Sequence, residues 1–286
     1  MVTQSPQTVA MTSPSESLVP STTCEAAFRQ IARDCASDFS EALETVLDCD
    51  APEGPHKARV ALRRLTTAID AFSPLLRRKR QAQLRAQAKA VFRLLGKLRD
   101  SDVHLETRCE MPGHKGRLRR NAEIRTKVRK GLKSLRAGDL AGQVERLTAP
   151  DGKLWRRSDA ARAARSAPVG RWAADMLAAA WADCAGHGAS VAIMDPLARH
   201  EFRKDLKSMR YLVEFLGPVV PGLDQEPFRS DFRDIQDALG ILNDWQVAMA
   251  LEGRDLPDVL PGKQARALVA AEALWLRLST APLPWA

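Results

Sequence analysis

A pattern that recurs at a constant displacement of 144 residues constrains this chain more than any other feature. His200, Arg203 and Lys207 repeat the spacing of His56, Arg59 and Arg63, and the apolar positions Leu206, Met209, Val213 and Leu216 repeat those of Leu62, Leu65, Ile69 and Phe72. At the same shift Leu239-Gly240-Ile241-Leu242-Asn243-Asp244 with Val247 matches Leu95-Gly96-Lys97-Leu98-Arg99-Asp100 with Val103. Pro196 falls on Pro52 and Trp172 on Phe28, so no net insertion separates the copies from Phe28 to Val103. The chain reads as an internal duplication.

The repeated unit is helical. Wound at roughly 100° per residue, the stretch from Asp195-Pro196 to Phe215 puts His200, Arg203, Lys207 and Arg210 within an arc of about 80°. Phe202, Leu206, Met209, Val213 and Leu216 gather on the opposite side. Each copy therefore carries one helix with a core face and a cationic ridge. Helices are expected from Cys24 to Cys49, from Pro52 or Pro55 to Ser73, from Gln81 to Glu106 and from Lys115 to Arg136 in the first copy. In the second they are expected from Val169 to Ala185, Pro196 to Leu216, Pro227 to Leu251 and Lys263 to Leu278. No sustained period-2 run of β-branched residues occurs, so the fold class is all-α. The expected arrangement is two pseudo-symmetric four-helix bundles around a basic central groove, with the two ridges facing one another.

The expected domain limits follow from this. Residues 1–23, rich in Ser, Thr and Pro, read as a disordered tail, and residues 24–280 as one domain. Within it the first helical repeat spans 24–137, a connector 138–168 with a short helix around Arg156 to Arg165, and the second repeat 169–280, followed by a tail over 281–286. The five cysteines are odd in number and form no C-x-x-C pair, so neither a disulfide framework nor a zinc site is indicated, and a reducing cytoplasm fits best. Mean hydropathy is −0.28 and no run approaches the ~18 apolar residues of a spanning helix, so no membrane partner is expected.

The ridge points to an anionic ligand. Like charges three and four residues apart repel by a few tenths of a kcal/mol per pair, yet His200, Arg203, Lys207 and Arg210 have no interleaved acid until Glu214. A net charge of +9 has the same sign. Arginine grips two phosphate oxygens at once and lysine supplies a movable point charge, a combination suited to an extended anion whose charges repeat. Along the long first-copy helix Arg85, Lys89, Arg93 and Lys97 form a slowly turning stripe, of which Arg229 and Arg233 are the matched positions in the second copy. Arg85, Lys89, Arg229 and Arg233 are expected to line the same groove as the ridges.

These residues resemble a known family. H-x-x-R-x-x-x-R-R from His56 to Arg64, R-D-S-D-V from Arg99 to Val103, H-x-x-R-x-x-x-K-x-x-R-Y from His200 to Tyr211 and L-G-x-L-N-D from Leu239 to Asp244 look like the paired motifs of the CHAD family, the conserved histidine α-helical domain. The resemblance implies an all-α fold and binding of inorganic polyphosphate, with recruitment to polyphosphate granules in the cytoplasm. Carried over position by position, it implies ligand contacts at His56, Arg59, Arg63 and Arg64 in one copy and at His200, Arg203, Lys207 and Arg210 in the other. Thr66 stands where the family usually has an arginine equivalent to Arg210, which implies weaker binding by the first ridge. CHAD domains are sometimes fused to a triphosphate-hydrolysing domain with an E-x-E-x-K motif, and this sequence has none, so a non-catalytic binder with no cofactor is expected.

Other constellations are weaker. Asp100, Asp102 and Asp244 are expected to hold ridge side chains in place rather than to catalyse. His104 and Asp100 form an i,i+4 pair with no third ligand, so no metal site is expected. His114 and His187 read as solvated. Two further functions remain open: a nucleic-acid binder, for which one Tyr and 5% aromatic residues leave few stacking platforms, and a phosphohydrolase acting on polyphosphate.

Overall fold

The computed structural model describes residues 17–107, 113–223, 228, 230–251 and 260–286. The helices are α1 (Cys24–Asp48), α2 (Glu53–Ala71), α3 (Arg78–Thr107), α4 (His114–Ser134), α5 (Leu140–Thr148), α6 (Asp159–Ser166), α7 (Val169–Ala185), α8 (Pro196–Leu216), α9 (Asp231–Leu251) and α10 (Gly262–Thr280). Among the described residues no strand forms, only two isolated bridges, Thr23 with Pro168 and Leu76 with Trp155. The protein is all-α, as its periodicity requires. No helix among the described residues is long and apolar enough to cross a membrane.

The chain divides into two compact units, one built from residues 25–166 and one from residues 18–24 and 167–286. In the first, α3 packs against both α2 and α4. Leu62, Leu65, Ile69 and Phe72, the apolar side of α2, are all buried at 1% exposure or less. In the second unit α8 packs on α7 and α9, and α9 on α10, with Phe202, Leu206, Met209 and Leu216 buried. The start of α8 is fixed by Asp195, whose side chain accepts from the Ala198 N–H at 2.8 Å, with Pro196 in the first turn. Pro52, 144 residues earlier, lies one position further out, at the N-cap of α2.

The stretch expected to be a connector is part of the first unit. Leu140, Val144 and Thr148 lie one turn apart on α5 and are buried, and Glu145 on the same helix forms a two-point ion pair with Arg33 of α1 at 3.0 Å. Trp155 is 1% exposed, packs edge-on against Phe28 at 5.7 Å, and donates from its indole N–H to the Ala149 carbonyl. Nine residues are too few for helical periodicity to stand out from a Gly- and Pro-containing background, so α5 was not expected. The expected short helix nearby is present as α6.

Residues 18–23 and 281–286, expected to be parts of tails, belong to the second unit. Residues 18–24 lie along the start of α7, with the Val169 N–H donating to Thr22 and the Gly170 N–H to Pro20, and Leu18 is buried. At the other end Trp285 is 6% exposed and packs against Trp181 and Phe228 at 5.9 and 5.3 Å. Trp181 in turn meets Trp275 and Phe232, so the last residues complete an aromatic cluster in the second unit. Residues 1–16 lie outside the described residues.

Because Trp285 closes that cluster, Trp285→Ala is expected to lower stability by about 3 kcal/mol, the low end for a buried aromatic. Equilibrium unfolding in urea followed by circular dichroism checks this; a midpoint equal to wild type would mean that the C-terminal segment contributes nothing to the core.

Candidate anion-binding ridges

In the first unit α2 presents His56, Arg59 and Arg63 on its polar side. Arg59 is laid across α3: its Nη1 donates to the Phe92 carbonyl at 3.0 Å, and its guanidinium lies 4.0 Å from the centre of the Phe92 ring. That carbonyl belongs to a helical turn whose next residue on the same line is Gly96. A Cβ built on Gly96 would fall 2.4 Å from Arg59 Nη1, so only a glycine there lets the guanidinium reach a helix carbonyl from the side. Burial pulls the Arg59 guanidinium below its ordinary value; Asp100 opposes this, while Arg63 and Arg99 add to it. A half-buried cation flanked by two others is a place where an anion is welcome.

Arg63 lies over the same Phe92 ring at 5.2 Å. It also lines a cavity of about 500 Å³ between α2 and α3, with Thr66 beside it on α2, Arg85 and Lys89 on α3, and a floor that includes Leu62 and Phe92. The structure thus gathers three of the expected cations in one concavity. Arg85 is held by Asp70 at 2.6 Å, a partner that sequence spacing did not assign. Partial burial raises the Asp70 carboxyl above the ordinary carboxylate range and Arg85 draws it back. Thr66 turns its hydroxyl to its own helix, donating to Leu62 and Arg63 carbonyls, which leaves the cavity open where an arginine would fill it.

Arg64 is elsewhere. One residue on from Arg63, it is rotated by about 100°, and it acts on Asp38 and Cys35 of α1. Burial raises the Asp38 carboxyl and Arg64 pulls it down; burial pushes the Cys35 thiol up to about 12, against the same arginine. Its surroundings are those of an internal counter-ion to α1, apart from Arg59 and Arg63.

In the second unit His200 Nδ1 lies 3.0 Å from Asn243 Oδ1 of α9. The Asn243 amide is oriented by its own neighbour, since its Nδ2 donates to Asp244 Oδ1 at 3.2 Å. With the amide oxygen as acceptor, the His200 ring donates from Nδ1 and leaves Nε2 facing outward. Arg203 Nη2 would stand 3.6 Å from a Cβ on Gly240, so the arginine-over-glycine arrangement of Arg59 and Gly96 recurs at the 144-residue displacement. Arg210 pairs with Glu214 at 3.3 Å and lies 4.9 Å from the centre of the Tyr211 ring. Lys207 is half-buried on the same helix. Arg233 is exposed, 3.7 Å from Asp234, and lies about two turns from Gly240 on nearly the same side of α9. Arg229 lies outside the described residues.

Of the acids expected to brace the ridge, Asp100 acts on Arg59 and Asp244 acts through Asn243, but Asp102 does not take part. It is 3% exposed and its Oδ1 accepts from Arg125 at 2.8 Å and from Asn121 at 2.7 Å, locking α3 to α4. Among the described residues no group of His, Cys, Asp and Glu is placed to hold a metal ion. His187 is not solvated: its Nε2 meets Asp205 at 2.7 Å and its ring packs on Phe202. The residues missed as parts of the site are Gly96, Gly240, Phe92 and Asn243. The signal for the two glycines was present in the duplicated L-G-x-L segment, which falls one helix away from the ridge arginine in each copy.

A sequence-family model described as the CHAD domain matches residues 30–251. The chain superposes on the crystal structure of the CHAD domain from the plant Ricinus communis with a TM-score of 0.67 at 20% identity, over 93% of this chain and 90% of that one. It also superposes on PptA from Streptomyces chartreusis with a TM-score of 0.57 at 17% identity, over 90% of this chain and 99% of that one. At these identities the structural likeness speaks for the fold. No curated protein matches the chain.

The two glycines separate cleanly by experiment. Gly240→Ala meets ordinary contact and is expected to raise stability by roughly 0.5–1 kcal/mol through helix propensity. Gly96→Ala drives Arg59 off the Phe92 carbonyl, whose hydrogen bond is worth about 1 kcal/mol net, and is expected to show no gain. Urea midpoints at unchanged slope measure both; an equal gain for the two variants would deny that Arg59 depends on the missing Cβ.

Proposed function

The chain belongs to the CHAD domain family, and on that premise we propose that its two cationic ridges bind inorganic polyphosphate without hydrolysing it and bring the protein to polyphosphate granules. The observation that carries this reading is the recurrence, in each unit, of an arginine laid over a helical glycine beside further cations of the same ridge helix. Such a row, half-buried and built from arginine and lysine, matches a ligand whose charges repeat along its length. Arg59, Arg63, Arg85 and Lys89 supply the contacts in the first unit. His200, Arg203, Lys207 and Arg210 supply them in the second, with Arg233 at the start of α9. The apolar floor under Arg63 excludes water from one side of the contact and strengthens it.

Isothermal titration calorimetry with long-chain polyphosphate tests the proposal. Binding is expected to weaken with salt by a slope of about 0.7 per phosphate contact, taking single-stranded nucleic acid as the analogue. Arg59→Ala and Arg203→Ala are each expected to weaken it by roughly tenfold to a hundredfold, the loss of charge-assisted hydrogen bonds. Thr66→Arg, which places a further cation in the open cavity, is expected to tighten binding by about threefold or more. Phosphate release with Mg²⁺ or Mn²⁺ is expected to stay at background. Tight binding of RNA or DNA that polyphosphate fails to displace would overturn the proposal, and so would sustained phosphate release.

A further inference from the structure

The outer face of α4 carries a second concentration of positive charge that neither ridge includes. Lys115, Arg119, Lys130 and Lys133 are exposed and fall within about 60° of arc along the helix. Arg120 and Lys127 are also exposed, on the edge of the helix toward Gly131. The only acid in α4 is Glu123, which Arg119 already holds at 3.2 Å. The placement works against the helix itself. Its first turn has no acidic residue and its N-terminus begins after Gly113 with no side-chain cap, so cations stand at the positive end of the macrodipole. Lys127, Lys130 and Lys133 follow one another three residues apart, where like charges repel.

The duplication supplies a control. The fourth helix of the second unit, α10, covers most of the positions 144 residues further on, and its exposed face is mixed: Lys263, Arg266 and Arg277 stand beside Val269, 70% exposed, and Leu276, 58% exposed, and Arg277 is taken by Asp231 at 2.7 Å. Both units keep the arginine-over-glycine arrangement, but α10 has Ala271 and Leu274 at the positions that match Lys127 and Lys130 of α4. Those two lysines are therefore particular to the first unit and not a consequence of the fold.

The path from the first ridge to this face is continuous within the unit. On α3, Arg85, Lys89, Arg93 and Lys97 are all exposed and advance by about 40° per step. The stripe starts beside the α2 cavity and ends at Lys97, turned toward the side of α3 that meets α4. There Leu94 touches Gly131, where a Cβ would fall 2.9 Å from the leucine, and Ser101 meets Asn121. These contacts run in opposite chain directions, so the helices are antiparallel and the Arg120–Lys127 edge of α4 lies alongside Lys97.

We infer that the outer face of α4 is an accessory polyanion site that holds the continuation of a polyphosphate chain whose first segment occupies the α2–α3 cavity. The inference rests on the proposed function for the class of ligand. The face itself argues against other macromolecules: α4 contains no Phe, Tyr or Trp on which a base could stack, and its single exposed large apolar residue, Leu118, is too little to enter a bilayer.

The test compares chain lengths in the full protein. The substitutions K115Q, K127Q, K130Q and K133Q are combined, since glutamine keeps helix propensity while removing charge, and K127Q/K130Q serves as a milder variant. Helical circular dichroism and melting establish that each is folded. Short polyphosphate, which fits within the cavity, is expected to bind both variants within about twofold of wild type. Long-chain polyphosphate is expected to bind the fourfold variant about tenfold more weakly, with a salt slope shallower by about 0.7 for each phosphate that no longer meets a lysine. Equal weakening for short and long chains, or none for either, overturns the inference alone. Loss of RNA or anionic-vesicle binding with long-chain polyphosphate unaffected overturns it in favour of those partners. If wild type binds polyphosphate of neither length, the proposed function falls and this inference with it.

Discussion

Holding several cations on one helix face is the constraint on which the rest of this structure depends. A ridge of histidine, arginine and lysine repels itself, and in both units an acid follows only at the far end of the face, Asp70 on α2 and Glu214 on α8, so none is interleaved among the cations nearest the histidine. Relief comes instead from the neighbouring helix. Arg59 gives one N–H to a backbone carbonyl and its flat face to an aromatic ring, both on α3. A helix carbonyl has a spare lone pair, but it is normally screened by the side chain one turn further on. Gly96 removes the screen. The guanidinium is thereby fixed in direction while most of its donors remain available, and none of its charge is neutralised in the process.

The two copies solve the same problem differently. In the first, the ridge histidine is followed on α3 by Arg99, which reaches Glu106 at 3.7 Å; in the second the corresponding residue is Asn243, which meets His200 directly. The second ridge therefore has a histidine hydrogen-bonded to the neighbouring helix, and the first has an arginine at the matching position of that helix. Thr66 and Arg210 differ in the opposite sense, with the cation in the second unit. The threonine satisfies its hydroxyl on its own helix and leaves space, while the arginine occupies the space and takes Glu214 as a partner. After the third helix of each copy the resemblance ends: Arg125 is buried between α3 and α4, whereas Val269 at the matching position of α10 is exposed.

Much of this was legible in the sequence because it depends on period. The limits of α7, α8 and α10 and the burial of Leu62, Leu65, Ile69 and Phe72 follow from apolar residues three and four apart, and the ridges follow from the complementary positions. What period could not show is direction toward a neighbour. Arg63 and Arg64 are adjacent in sequence and equally basic, yet one lines the cavity and the other faces Asp38, because a single residue turns a helix by about 100°. Asp102 was grouped with Asp100 on the same reasoning and is instead buried against Arg125. Composition misled at the termini and the connector. Gly, Pro and Ser lower the expectation of order, but a tryptophan in such a stretch has a large apolar surface to bury, and both Trp155 and Trp285 do so.

Each ridge also contains an acid that bears on what it can select. Asp70 holds Arg85, and Glu214 holds Arg210. An incoming anion must exchange these partners for itself. For a singly charged anion the exchange yields one ion pair for another in a partly solvated place, with little net gain. A polyvalent chain makes the same exchange once and then meets Arg63, Lys89 and Arg59 without further displacement, so its gain grows with each phosphate that finds a cation. On the proposed function the carboxylates act as a threshold: they disfavour weakly charged competitors and leave the affinity for an extended polyanion to be set by the length of the cationic path.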